Sequence, residues 1–264
     1  MLQTTVLALL QSATEFLPVS SSGHLILVPR LLHWSDQGMV MDIALHIGTL
    51  FSVLIYFRRE VAMMITGAIN ILKKKLKTPE AAFVLKLGIA CVPVFLIGAF
   101  AHSYIEEHFR SPLLIASTAI IFGILLYLAD RKGSSNDTMR DISFKNAFLI
   151  GAAQTLALIP GVSRSGITMT AARALGVKRE DAARFSMLLS IPTIGAAGGL
   201  GILKILTEAA EVIPETSLIV SGVFISFLGG IAAIGFLMRW LKTSSFAIFA
   251  VYRILLGIVL FMLF

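Results

Sequence analysis

Charge is scarce in this sequence: only 14% of its 264 residues are Asp, Glu, Lys or Arg, against 57% hydrophobic residues. With a mean hydropathy of +0.89 the chain lacks the polar groups to cover a water-exposed surface, which excludes a soluble domain. Cysteine is nearly absent. The single Cys91, in an apolar run, excludes an intrachain disulfide and a thiolate metal cluster, and reads as a packing residue. The N-terminus has no basic segment of the kind that precedes a cleavable leader, and its first apolar stretch carries Glu15 and His24, so it is expected to be retained. No long basic tract is present either. The net charge of +7 comes from short clusters between apolar runs, so membrane lipids are expected partners and nucleic acid is not.

What is present is an all-α integral membrane protein. Six runs are long enough to cross the hydrocarbon layer: about 41 to 57, 83 to 104, 113 to 129, 185 to 206, 217 to 238 and 246 to 264. Two further stretches are split by Pro and Gly into short arms, about 2 to 17 with 20 to 32, and about 146 to 159 with 163 to 176. Neither arm spans alone, so each pair is expected to be a re-entrant helical hairpin with its tip near mid-membrane. Threading these elements puts 14 of the 22 Lys and Arg residues on one face, among them Arg58, Arg59, Lys73 to Lys75, Lys77, Lys178 and Arg239. By the positive-inside rule that face is cytoplasmic. The other carries Asp36, Glu106, Glu107, Glu208, Glu211 and Glu215, with only Arg30 and Arg110. Residues 60 to 77 are expected to lie along the cytoplasmic interface as an amphipathic helix.

The two split stretches are one device written twice. A shift of 143 lays Gln11 on Gln154, Ser20 on Ser163, Ser22 on Ser165 and Gly23 on Gly166. The first hairpin then enters from outside and the second from the cytoplasm, each followed by three spans: an inverted repeat, about 1 to 135 and 143 to 264. Such repeats place a shared site at mid-membrane, where the broken helices meet.

A half-helix starting inside the membrane points unpaired N–H groups and a positive dipole end at whatever fills the gap, which suits an anion. Ser20, Ser21, Ser22, Ser163 and Ser165 add hydroxyl donors or act as helix caps, while Gly23, Gly161 and Gly166 admit close backbone approach. Arg164 supplies a forked cation suited to phosphate oxygens. Glu15 and Gln11 stand at i and i+4 on one helix face, placed to ligate a divalent cation, to orient an imidazole, or to pair with Arg164 or Arg253. His24 follows Ser21 by three residues, which permits a relay in which Ser21 attacks, His24 takes its proton and Glu15 orients the imidazole. His24 itself and water remain open as nucleophiles. Asp42 and His46 read as a supporting or a capping pair, Arg253 as a ligand contact or partner of Glu15, and Arg184 as a snorkelling residue.

TEFLPVSSSGHL and PGVSRSGIT, with MDIALHIGTL between them, resemble the undecaprenyl-diphosphate phosphatases of the bacitracin-resistance (BacA/UppP) type along essentially the whole chain. The resemblance implies an inner-membrane phosphatase that converts undecaprenyl diphosphate to the monophosphate at the outer face, recycling the lipid carrier for wall synthesis. It implies dependence on a divalent cation, Mg2+ or Ca2+. The family's acidic motif falls on Gln11 and Glu15, its serine turn and histidine on Ser20, Ser21, Ser22 and His24, and its arginine motif on Ser163, Arg164, Ser165 and Thr168. Some members carry Glu at the place of Gln11 and Thr at that of Ser22. A lipid transporter or flippase is the competing expectation, because inverted repeats with broken helices are also transporter architecture. Oligomeric state, a homodimer included, stays open.

Overall fold

The computed structural model describes residues 1–34, 37–109, 111–133, 137–208 and 214–264. Asp36, Arg110 and Glu211, expected on the outer face, lie outside the described residues, as do the side chains of Glu106, Glu107 and Glu208. The described chain is helical: α1 Leu2–Phe16, α2 Ser21–Leu31, α3 Gly38–Tyr56, α4 Arg58–Leu72, α5 Pro79–His108, α6 Pro112–Lys132, α7 Phe144–Gln154, α8 Arg164–Ala174, α9 Arg179–Glu208, α10 Thr216–Trp240 and α11 Ala247–Leu263. A 3₁₀ turn, Thr155–Leu158, extends α7.

Local chemistry sets these boundaries. Thr78 caps α5 by accepting from Ala81 N–H, and Pro79 fills the first helical position, where its missing N–H costs nothing. Ser143 caps α7 in the same way through Asn146 N–H. Five helices, in α3, α5, α6, α9 and α10, are long and apolar enough to cross a membrane. The sixth expected span, α11, is an apolar helix of 17 residues, about 25 Å long at 1.5 Å per residue. Phe51, Phe100, Leu203, Phe224 and Phe261 stand exposed on the outside of the bundle, as lipid-facing groups do.

Contacts between helices fix their relative directions. Along α10, Gly222 meets Thr4 and Leu45, Ser226 meets Ala8 and Gly48, and the Gly229–Gly230 pair meets Ser12 and Ser52, so α1, α3 and α10 run the same way. On α5, Lys86 lies over the Phe144 ring and Ala90 against Gly151, so α5 and α7 run together. Helices α6 and α11 run oppositely: Asp130 at the end of α6 accepts from Phe246 N–H ahead of α11, while Ala116 meets Gly257.

Buried Asp130 is a charged knot at one end of the bundle. Its Oδ1 accepts from Arg173 Nε at 3.0 Å and Arg179 Nε at 2.7 Å, and Arg173 also donates to the carbonyls of Val177 and Gly133. The ends of α6 and α8 are thereby tied to the starts of α9 and α11. Arg184, expected to snorkel, forms an ion pair with Glu60 of α4 over the Phe57 ring.

Candidate functional site

Two serines hold a backbone conformation that serine seldom adopts. Ser20 has φ 79° and ψ 96°, Ser163 φ 71° and ψ 115°, and each caps the helix that follows it. Ser20 Oγ accepts from Gly23 N–H at 3.3 Å and Ser163 Oγ from Gly166 N–H at 3.1 Å. Each hydroxyl also meets the serine two residues on, Ser22 at 3.4 Å and Ser165 at 3.2 Å. The duplication legible in the residues is thus duplicated in the backbone.

The two tips touch. A Cβ on Gly23 would lie 3.7 Å from Gly161 Cα, and Ser165 Oγ donates to Leu17 O at 3.1 Å. Gly161 has φ +90°, and a side chain there would overlap Thr118, whose hydroxyl donates to Pro160 O at 2.9 Å. Arg253, fully buried, straddles the junction. Its Nη2 donates to Gly161 O at 2.9 Å and to Thr118 O at 3.5 Å, its Nη1 to Pro18 O at 3.5 Å, and Pro18 and Gly161 are mates under the shift of 143. Of the two expectations for Arg253, pairing with Glu15 is therefore not what it does.

Glu15 is the hub. Arg164 Nη2 donates to its Oε1 at 3.0 Å, while Oε2 accepts from Ser21 Oγ at 2.8 Å and Gln11 Nε2 at 3.1 Å. The other arm of the Arg164 fork donates to Ser186 O at 3.0 Å. Thr168 hangs behind it, bonded to Arg164 O and to the Ser186 hydroxyl. The structure thus brings Gln11, Glu15, Ser21, Arg164 and Thr168 into one connected group beside the capped tips.

The expected relay order is corrected. His24 lies between neither Ser21 nor Glu15: its Nδ1 is 2.7 Å from Ser20 O, and its Nε2 is 2.7 Å from the Tyr252 hydroxyl. A carbonyl only accepts, so Nδ1 carries a proton, and Nε2 shares a hydrogen bond with the Tyr252 hydroxyl. The imidazole next to the carboxylate is His46, with Nε2 3.8 Å from Glu15 Oε2 and Nδ1 on Asp42 O. Sequence reasoning paired His46 with Asp42 and missed its approach to Glu15. Tyr252, one residue before Arg253, was missed as well; only adjacency to an intramembrane arginine marked it.

The electrostatics favour an oxyanion. Two helix N-termini, Arg164 and Arg253 stand about the junction, where Glu15 is paired with Arg164 and Arg253 has no ion-pair partner among the described residues. Oxygen donors for a hard cation stand at Gln11 and Glu15, where Gln11 Oε1 is buried without a hydrogen bond. No group of three or more His, Cys, Asp or Glu side chains stands together among the described residues. This set fits a cation whose shell is completed by water and phosphoryl oxygens, as Mg2+ commonly is, and does not fit an all-protein cage.

The helices describe a multi-pass membrane protein in which two serine-capped helix starts meet beside a Glu15–Arg164 ion pair. Residues 4–259 match the family model of the bacitracin resistance protein BacA. The chain is 44% identical to the undecaprenyl-diphosphatase of Dinoroseobacter shibae over 256 residues, covering 97% of this chain and 95% of that protein. It is 45% identical to that of Magnetococcus marinus over 260 residues (97% and 96%) and 43% identical to that of Thioalkalivibrio sulfidiphilus over 262 (99% and 98%). The chain belongs to the BacA family.

Proposed function

We propose that this protein hydrolyses undecaprenyl diphosphate to undecaprenyl phosphate and inorganic phosphate, returning the lipid carrier for wall synthesis. The observation that carries the reading is the Glu15 carboxylate, which binds Ser21 of one tip and Arg164 of the other at once. Membership of the BacA family and the undecaprenyl-diphosphatase activity named for its relatives support it.

The architecture is six spans and two re-entrant hairpins in inverted repeats, about 1–135 and 143–264. Helix directions support this. α1 starts at the end where α3 and α10 start, whereas α7 starts with α5, whose start follows the far end of α3 through α4. The hairpins therefore enter from opposite ends of the bundle. With the basic clusters on the inner side, the first opens to the outer face of the inner membrane, where a lipid-borne head group reaches it sideways.

In the reaction Ser21 Oγ forms a bond to the terminal phosphorus and its proton passes to Glu15 Oε2. The bridging P–O bond breaks, and undecaprenyl phosphate leaves with the electron pair. Arg164 and the N–H groups at the starts of α2 and α8 hold the charge on the phosphoryl oxygens, aided by the hydroxyls of Ser20, Ser22, Ser163 and Ser165. Water then adds to the phosphoserine, the Ser21–phosphorus bond breaks and Ser21 recovers a proton. His24, through Nδ1–H on Ser20 O, keeps the strained first tip in place. Gly23 and Gly161 let the backbone reach the anion, and Thr168 steadies the Arg164 turn. Gln11 and Glu15 would hold a divalent cation, Mg2+ or Ca2+, which when bound draws charge from the phosphoryl oxygens.

Purified protein in detergent should release phosphate from undecaprenyl diphosphate, and Ser21→Ala, Glu15→Ala and Arg164→Ala should each abolish release per folded molecule, with the folded fraction measured alongside. Release undiminished in all three would refute these roles.

A further inference from the structure

Buried side-chain polar atoms without a hydrogen bond are few among the described residues, and they fall on few side chains. Apart from Gln37 Oε1, all belong to Gln11, Gln154 and Arg253, the last of which spans the tips. Gln154 stands out because both Oε1 and Nε2 lack a hydrogen bond although the residue is only 1% exposed. A buried amide left in that condition is unfavourable on both its donor and its acceptor side.

The repeat tells what is missing. Gln154 occupies in the second hairpin the place of Gln11 in the first, at the same distance in sequence from its tip serine. Gln11 Nε2 donates to the Glu15 carboxylate. The mate of Glu15 under the shift of 143 is Leu158, whose side chain offers no oxygen. The second half thus keeps the amide and lacks its anionic partner, nine residues ahead of a tip serine with the same capped geometry.

Building on the phosphatase reading above, we infer that Gln154 is a further substrate contact, whose amide donates to a phosphoryl oxygen of the bound diphosphate where Gln11 donates to a carboxylate. The bound oxyanion takes the part in the second hairpin that Glu15 takes in the first. One phosphoryl group then engages each hairpin, and an asymmetric pocket arises from a symmetric pair of helices.

Gln154→Leu, nearly equal in volume and free of polar atoms, separates this from a structural role. The tests are thermal melts in detergent with and without inorganic diphosphate, together with kinetics on undecaprenyl diphosphate. Without ligand the variant should melt at or above the wild type, since an unpaired amide has been removed. It should lose most of the rise in melting temperature that inorganic diphosphate gives the wild type, and its KM should rise about tenfold, the scale of one lost hydrogen bond to a charged group. Gln154→Glu, which sets a negative charge against the anion, should weaken both further. An unchanged diphosphate shift and KM in Gln154→Leu would overturn the assignment, as would a lower melting point without ligand, because the fold would then be using the amide. Wild-type protein that shows the Gln154-dependent shift but releases no phosphate from the lipid would remove the phosphatase reading and keep the contact.

Discussion

Arg164 reaches from α8 across to Glu15 of α1, Nη2 to Oε1 at 3.0 Å, so a carboxylate of the first half is neutralised by the opposite half of the chain. Both side chains are largely buried, and removing one partner strands the other in a medium that solvates it poorly. Arg164→Gln should therefore destabilise the protein by about 3–5 kcal/mol. Glu15→Gln/Arg164→Gln, with neither charge left, should lie well above the sum of the two single losses. A double-mutant cycle on detergent melts checks this, and additive losses would contradict a direct pair.

Asp130 sorts its two arginines by exposure. Arg173 is 1% exposed and Arg179 38% exposed, though both donate to the same oxygen. Solvent screens the second pair, so Arg179→Ala should cost about 0–1 kcal/mol. Arg173→Ala takes a buried cation from the Asp130 carboxylate and a donor from three carbonyls, and should cost about 3–5 kcal/mol. Melts of the two variants that moved together would show that burial does not grade these pairs.

The broken helices' boundaries and the apolar helices were legible in the sequence because Pro, Gly and Ser interrupt apolar runs at the places where the helices end and restart. Arms expected at 2 to 17 and 20 to 32 are Leu2–Phe16 and Ser21–Leu31, and the span expected at 113 to 129 is Pro112–Lys132. Arg164 and Glu15 were legible because a charge inside an apolar run is expensive and rarely idle. Partner choice was legible only in part: Arg164 is one of the two partners expected for Glu15, whereas the imidazoles went elsewhere. His24 was assigned to Ser21 because helical spacing permits that contact, but the left-handed turn at Ser20 aims the ring at the Ser20 carbonyl and at Tyr252, a residue 228 positions away. His46 was read with Asp42, its local neighbour, since only the packing of α3 beside α1 brings it to Glu15. Local periodicity fixes which face a side chain leaves from, not what it meets.

Gly161→Ala tests the backbone of the tip. The position has φ +90°, where an added methyl is strained, and that methyl would collide with the Thr118 hydroxyl and press on the Ile115 backbone. A cost of about 1–3 kcal/mol from conformation alone is expected. Phosphate release should fall more steeply than stability, because Arg253 holds the Gly161 carbonyl and the tip shifts with it. Activity near that of the wild type at an unchanged melting point would argue against a tip built on close backbone approach.

Gln11 tests the cation. Its Oε1 is buried without a partner beside the Glu15 carboxylate, so Gln11→Glu places a second charged oxygen donor where an amide now stands. Without a cation, two carboxylates so close repel each other and lower the melting point. With Mg2+ or Ca2+ between them the repulsion becomes attraction, so added cation should raise the melting temperature of Gln11→Glu more than that of the wild type. The cation concentration for half-maximal phosphate release should fall, and a chelator should abolish release in both proteins. If the half-maximal concentration is unchanged while the apo variant melts lower, Gln11 and Glu15 repel without sharing an ion, and the cation must be held by the diphosphate elsewhere at the tips.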